Sequence, residues 1–83
     1  MVVKRVICII PFATNGDSSW DSSTSKYKVT PGAGYVYGQT YELELDVANR
    51  YIADGLMIDY YTQLNNPKLP MRVKHNVIRI GVD

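Results

Sequence analysis

The sequence predicts a small α+β domain: a mostly antiparallel β-sheet, or a partly open barrel, with one short helix. Three observations lead there. Residues 2–10 form a run rich in Val and Ile, with no breaker before Pro11. Residues 41–45 alternate cleanly between apolar and acidic side chains. Residues 47–54 carry an apolar stripe between an acidic cap, Asp46, and a stop, Gly55.

The 83 residues suit a single small domain, 1–83. So short a chain buries a modest share of its surface. Its one cysteine, Cys8, rules out an intrachain disulfide. Support from an oligomer or a larger assembly is therefore expected.

Taken in order, residues 2–10 read as a strand with both faces apolar, hence central or covered. Cys8 lies within it as a small buried hydrophobe. Residues 14–26, "TNGDSSWDSSTSK", read as a long polar loop with Trp20 in its middle. Such a tryptophan either folds back as a lid on the core or anchors a partner. Residues 27–29 give a short strand before the turn "TPGAG". Residues 35–37 and 41–45 follow as strands, with Tyr35 and Tyr37 on one face. In the second, Tyr41, Leu43 and Leu45 point inward, and Glu42 and Glu44 outward.

Asp46 is read as the N-cap of the helix. Val47, Ala48, Tyr51 and Ile52 form its apolar face, and Gly55 its left-handed stop. Residues 56–61 resume as a strand. The connector "NNPKLP" leads to a last strand region, residues 71–82. There the phase of Met71 and Val73 is opposite to that of Ile78, Ile80 and Val82, which places a bulge or a hairpin turn at His75-Asn76.

The chain offers little chemistry. His75 is its one histidine and has no partner at triad or metal-ligand spacing. Asp17 and Asp21 lack the glycine and glutamate of a calcium loop. "GAGYVYG" has the wrong spacing for a phosphate cradle and leads into a strand. No catalytic residue, metal or cofactor is expected. A net charge of +1, with dispersed basic residues, argues against non-specific nucleic-acid binding. No apolar run reaches the ~20 residues of a membrane span, and the run before Pro11 is too short for a signal peptide. Synthesis in a cytoplasm is expected.

"YELELDVANRYIADGLM" resembles a strand–cap–helix–glycine–strand unit of small structural proteins of tailed bacteriophages and prophages. Tyr41, Leu43, Asp46, Ala48, Tyr51, Ile52 and Gly55 carry the resemblance, over about a quarter of the chain. It implies a virion component, in the head or at the connector, with no catalytic residues.

The expected function is that of an auxiliary capsid protein, a cement or decoration protein. It would hold to a major capsid or other virion protein within a homo- or hetero-oligomeric assembly, with Trp20, Tyr35, Tyr37 and the first strand as contacts. The alternative is a small nucleic-acid-binding module using Arg72, Lys74 and Arg79 with exposed tyrosines; a steep salt dependence of binding would mark it.

Overall fold

The computed structural model describes residues 2–22, 24–67 and 69–81, with the backbone only at 17–19, 21 and 28–30. It is a small α+β fold whose sheet does not close into a barrel. The main sheet has four strands: β1 (Val3–Cys8), β6 (Gln39–Glu44), β7 (Met57–Asp59) and β8 (Lys74–Arg79). Their spatial order is β7-β1-β6-β8. β1 is central, the first of the two places its apolar faces allow, and antiparallel to both β6 and β7. The β6–β8 pair is parallel, so the sheet is mixed.

Strand alternation sorts the side chains onto two faces. Val6 and Cys8 of β1, Tyr41 and Leu43 of β6 and Met57 of β7 turn to the same side. Helix α1 (Leu45–Ala53) covers them with Val47, Ala48 and Tyr51. The other face holds Ile7 and Thr40, register partners that are also buried. Helix α2 (Tyr60–Asn65) lies against β1 and β7.

The start of α1 corrects the expected cap. Glu44, expected to face solvent, is only 5% exposed. Its Oε2 accepts from the backbone N–H groups of Asp46 (3.0 Å) and Val47 (3.4 Å). Glu44 is therefore the N-cap, and Asp46 is an exposed acid in the first turn, where its charge suits the helix dipole. Leu45, expected as an inward strand residue, is the first helical residue and only partly buried. The other end follows expectation. Gly55 has φ +78°, its N–H bonds Ile52 O, and the Leu56 N–H bonds Tyr51 O. That pair of bonds is a Schellman ending, which needs a left-handed residue at Gly55.

The single expected helix becomes two. Residues 56–61, expected as one strand, divide at Asp59. Its Oδ2 accepts from the Thr62 N–H (2.9 Å) and the Thr62 hydroxyl (3.0 Å), which starts α2. The phase slip at His75-Asn76 is a bulge. Gln39 pairs with Lys74 but Thr40 pairs with Val77, so two residues of β8 are looped out opposite none of β6. The Thr40 hydroxyl donates to Lys74 O (2.8 Å), and the Gln39 side-chain amide donates to Asn76 O. Ile80 packs against the core, while Ile78 is 39% exposed. Val82, the third residue of that expected phase, and Lys68 of the connector lie outside the described residues.

The largest correction concerns residues 14–26. Among their described residues, 16–21 and 26 are strand rather than loop. Strands β3 (Gly16–Asp21) and β4 (Lys26–Pro31) form an antiparallel hairpin. Ser23 of its turn lies outside the described residues, and Ser25 there has φ 54°. The hairpin grows from the body in unbroken register. At its root, β2 (Phe12–Ala13) pairs with β5 (Gly34–Tyr35), Phe12 opposite Tyr35. The Thr14 N–H then bonds Ala33 O (2.9 Å), and Gly16 pairs with Pro31. Between these rungs the two chains approach so closely that a Cβ on Gly32 would stand 2.7 Å from Thr14 O.

Candidate docking arm

The hairpin makes one end of the molecule different from the rest. Six residues of strand reach about 20 Å, and the molecule measures 42 × 24 × 23 Å. Its radius of gyration, 12.7 Å, exceeds the roughly 12 Å of a compact chain of this length. The root of the arm is fixed in the core. Phe12 and Tyr35 stack with ring centroids 4.7 Å apart. Tyr35 also meets Tyr41 edge to face at 4.8 Å, and Phe12 meets Tyr51 at 5.1 Å. The Tyr41 hydroxyl accepts from the Val36 N–H (2.9 Å), which ties the chain just after β5 to β6.

Near the tip, Trp20 pairs with Tyr27 across the two strands, one rung before the turn. Their rings meet edge to face at 5.0 Å and 71°. Trp20 is 57% exposed and Tyr27 68%. A cross-strand aromatic pair holds two strands together, and here its outer surface is also left to water. A two-stranded ribbon is marginal alone, so an exposed aromatic pair on one is a place for a partner to bury.

The three expected contact residues fall on three different elements. Trp20 lies on the arm, so it is not a lid on the core. Tyr35 is 2% exposed at the centre of the aromatic cluster, so in the folded chain it is a core residue and no surface contact. Tyr37, expected on the same face as Tyr35, stands 49% exposed in the turn before Gly38. The two part because β5 ends at Tyr35 and the chain turns through Gly38 (φ +83°) into β6. Of β1, expected as a contact strand, Val6, Ile7 and Cys8 are buried. Tyr27 was legible only as part of a short strand. Its pairing with Trp20 follows once "DSSTSK" is taken as a turn, since both stand equally far from its centre.

The main sheet carries an ionic cluster. Glu42 stands between two arginines on neighbouring strands. Its Oε2 accepts from Arg5 Nε (3.2 Å) and its Oε1 from Arg79 Nε (3.1 Å). The bond from Glu42 raises the Arg5 pKa above its ordinary value. Val3, Lys4, Arg5, Glu42, Asp59 and Tyr61 line a shallow cleft of about 290 Å³ there. Both arginine side chains are more than 40% exposed, so these pairs are screened by water. Of the basic residues named for the nucleic-acid alternative, Arg79 is thus matched by an acid, while Arg72 and Lys74 are exposed at the start of the β8 segment. His75, in the bulge, shares a 3.0 Å hydrogen bond with the Tyr60 hydroxyl.

Cys8 is fully buried, and its thiol donates to Ile10 O at 3.2 Å. Burial pushes that thiol up from its ordinary pKa, as suits an unreactive cysteine. Among the described residues no group of three or more His, Cys, Asp or Glu side chains is placed to hold a metal ion. The side chains of Asp17 and Asp21, weighed above as calcium ligands, lie outside the described residues. Among those residues no helix is long and apolar enough to cross a membrane. Comparison with protein-family models, with curated proteins and with solved structures finds no match.

Proposed function

We propose that this chain is a structural component of a tailed-phage particle, an auxiliary capsid protein that acts by adhesion rather than catalysis. The observation that carries the reading is the projecting β3–β4 arm, with Trp20 and Tyr27 exposed near its tip. A tryptophan buries up to about 200–250 Å² on docking, a large share of what one small contact needs. The body supplies a rigid base, because the root of the arm is stacked into the core through Phe12 and Tyr35. The resemblance of residues 41–57 to small phage structural proteins supplies the setting. Repetition by particle symmetry then multiplies weak contacts.

The partner is a major capsid protein or another virion protein that offers an apolar pocket to the aromatic pair. The test is quantitative mass spectrometry of purified particles from cells that produce them. The reading expects the chain in a fixed stoichiometry to the shell protein, retained through density-gradient purification. Its absence from complete particles, or trace amounts that vary between preparations, would overturn it.

A further inference from the structure

We propose that Asn15 is a site of self-modification at the root of the arm: the Gly16 nitrogen attacks its side-chain amide, and the product unlocks the arm from the body. Asn15 is the one asparagine of the chain that precedes a glycine. A side chain on the following residue crowds such a ring closure, and glycine has none. Both residues are exposed. Gly16 has φ +118°, in the region that glycine alone enters freely.

The ladder leaves the nucleophile free. Gly16 stands opposite Pro31. Pro31 has no N–H, so the two cannot exchange the bonds of a hydrogen-bonded pair. They form the other kind of pair, whose N–H and C=O groups point away from the partner strand. The Gly16 N–H therefore faces the outer edge of β3, which pairs with β4 alone among the described residues. Asn49 and Asn76 lack this combination. Asn49 is followed by Arg50 inside α1, and Asn76 by the β-branched Val77.

The step needs water and nothing else. Water or hydroxide takes the Gly16 amide proton, and the nitrogen attacks Asn15 Cγ. The new C–N bond closes an imide ring, the Cγ–Nδ2 bond breaks, and Nδ2 leaves as ammonia with a proton from water. Water then opens the imide. Opening at Cγ gives aspartate; opening at the main-chain carbonyl gives isoaspartate, whose main chain runs through Cβ and Cγ. Isoaspartate thus adds a carbon to the main chain between β2 and β3, where there is no slack. The Thr14 N–H is bonded to Ala33 O (2.9 Å), and a Cβ on Gly32 would stand 2.9 Å from the Asn15 carbonyl carbon. The added atom pulls the β3–β4 rungs out of line with the root, since register runs along the backbone. The core should keep its packing, because no described residue from 14 to 32 belongs to it or packs against it. The conversion needs no partner, so it stands or falls apart from the virion reading.

The test follows the purified full chain at neutral and mildly alkaline pH by intact mass and peptide mapping. Ammonia loss should fall on Asn15, leave Asn49 and Asn76 intact, and quicken as pH rises. Its rate in the folded chain should lie within about tenfold of that in a free peptide of residues 11–20, because no opening of the ladder precedes attack. Asn15→Gln, which would need a larger ring, should lose the conversion and keep the arm. In the isoaspartate product, hydrogen-exchange protection should fall in residues 16–31 and hold in β1 and β6. Freshly prepared Asn15→Asp carries the charge without the longer chain and should keep that protection. A folded chain that converts more than about tenfold more slowly than the peptide would overturn the proposal, since the Gly16 N–H would then be held in the ladder. So would conversion shared with Asn49 and Asn76, an isoaspartate product with a fully protected arm, or an Asn15→Asp chain that loses protection just as far.

Discussion

Trp20 and Tyr27 stand directly opposite one another near the tip of the arm, rings 5.0 Å apart, and both face water. Neither residue belongs to the hydrophobic core or packs against it. Trp20→Ala should therefore remove only the local pair, about 0.5–1.5 kcal/mol, and leave the melting temperature of the body nearly unchanged. Hydrogen exchange should rise in residues 16–31 alone. On particles, the same variant should lose occupancy sharply. A large drop in melting temperature would show that the indole supports the body after all and would remove it as an anchor.

The contrast between Tyr35 and Tyr37 gives the second prediction. Two residues apart, they differ from 2% to 49% exposed. Tyr35 touches Phe12, Tyr41 and Tyr51, so Tyr35→Ala opens a cavity worth about 3–5 kcal/mol. That is a large part of the roughly 5–15 kcal/mol available to a small domain. Tyr37→Ala should stay within about 0.5 kcal/mol, as surface changes do. Urea unfolding of both variants measures the difference directly, and equal losses would contradict the burial of Tyr35.

Much of this fold was written in local pattern, and the departures have physical reasons. Val6, Ile7 and Cys8, apolar in both phases, left β1 either central or covered, and the fold makes it central. The slip in alternation at His75-Asn76 marked a bulge or a hairpin turn, of which the bulge is found, and Gly55 marked the end of α1. Glu44 misled because period-two alternation assigns it to solvent, while the helix beginning at the next residue needs an acceptor there. Asp59 misled because Tyr60 and Tyr61 look like strand residues, and only Asp59 with Thr62 betrays a cap. The arm was the least legible. Serine and aspartate mark loops by their turn preference, but here the ladder is held by backbone bonds and the register running up from Phe12 and Tyr35, which no window of the sequence contains. Trp20 was the one residue whose type conflicted with the loop reading.

The cap assignment is testable by comparing two neighbouring acids. Glu44 holds two backbone donors of the first turn, so Glu44→Ala should cost about 1–2 kcal/mol. Asp46 contributes only its charge near the helix start, so Asp46→Ala should cost about 0.3–1 kcal/mol. Chemical denaturation at low salt orders them. The reverse order would return the cap to Asp46.

Gly38 combines two constraints at the seam between β6 and β8. Its φ is +83°, and an added Cβ would stand 2.7 Å from Arg72 O. Its carbonyl also accepts from the Lys74 N–H at 2.8 Å. Gly38→Ala should thus cost more than the roughly 1 kcal/mol of a left-handed alanine alone. The damage should be directional: exchange protection should fall in β8 before β1. Uniform loss across the sheet would mean that the strain is absorbed elsewhere.

Cys8 links the core to pH. Burial raises the pKa of its thiol, and burial likewise raises that of the Tyr41 hydroxyl. An acid whose folded pKa lies above its unfolded one holds its proton longer in the folded state. Between the two values the folded chain binds more protons, so stability falls as pH rises. Below the ordinary thiol value, about 8.5, this contribution is complete and flat. Above it stability should decline, with a further decline as the ordinary tyrosine range near 10 is passed. Cys8→Ala should abolish the first part of that decline, at the cost of a small core defect at every pH. Denaturant midpoints measured from neutral to alkaline pH resolve the two parts. The thiol itself should react with an alkylating reagent only as fast as the core opens, so labelling and hydrogen exchange of β1 should keep the same pace. Rapid labelling of the native chain at neutral pH would show that Cys8 is reached without unfolding and would break the link.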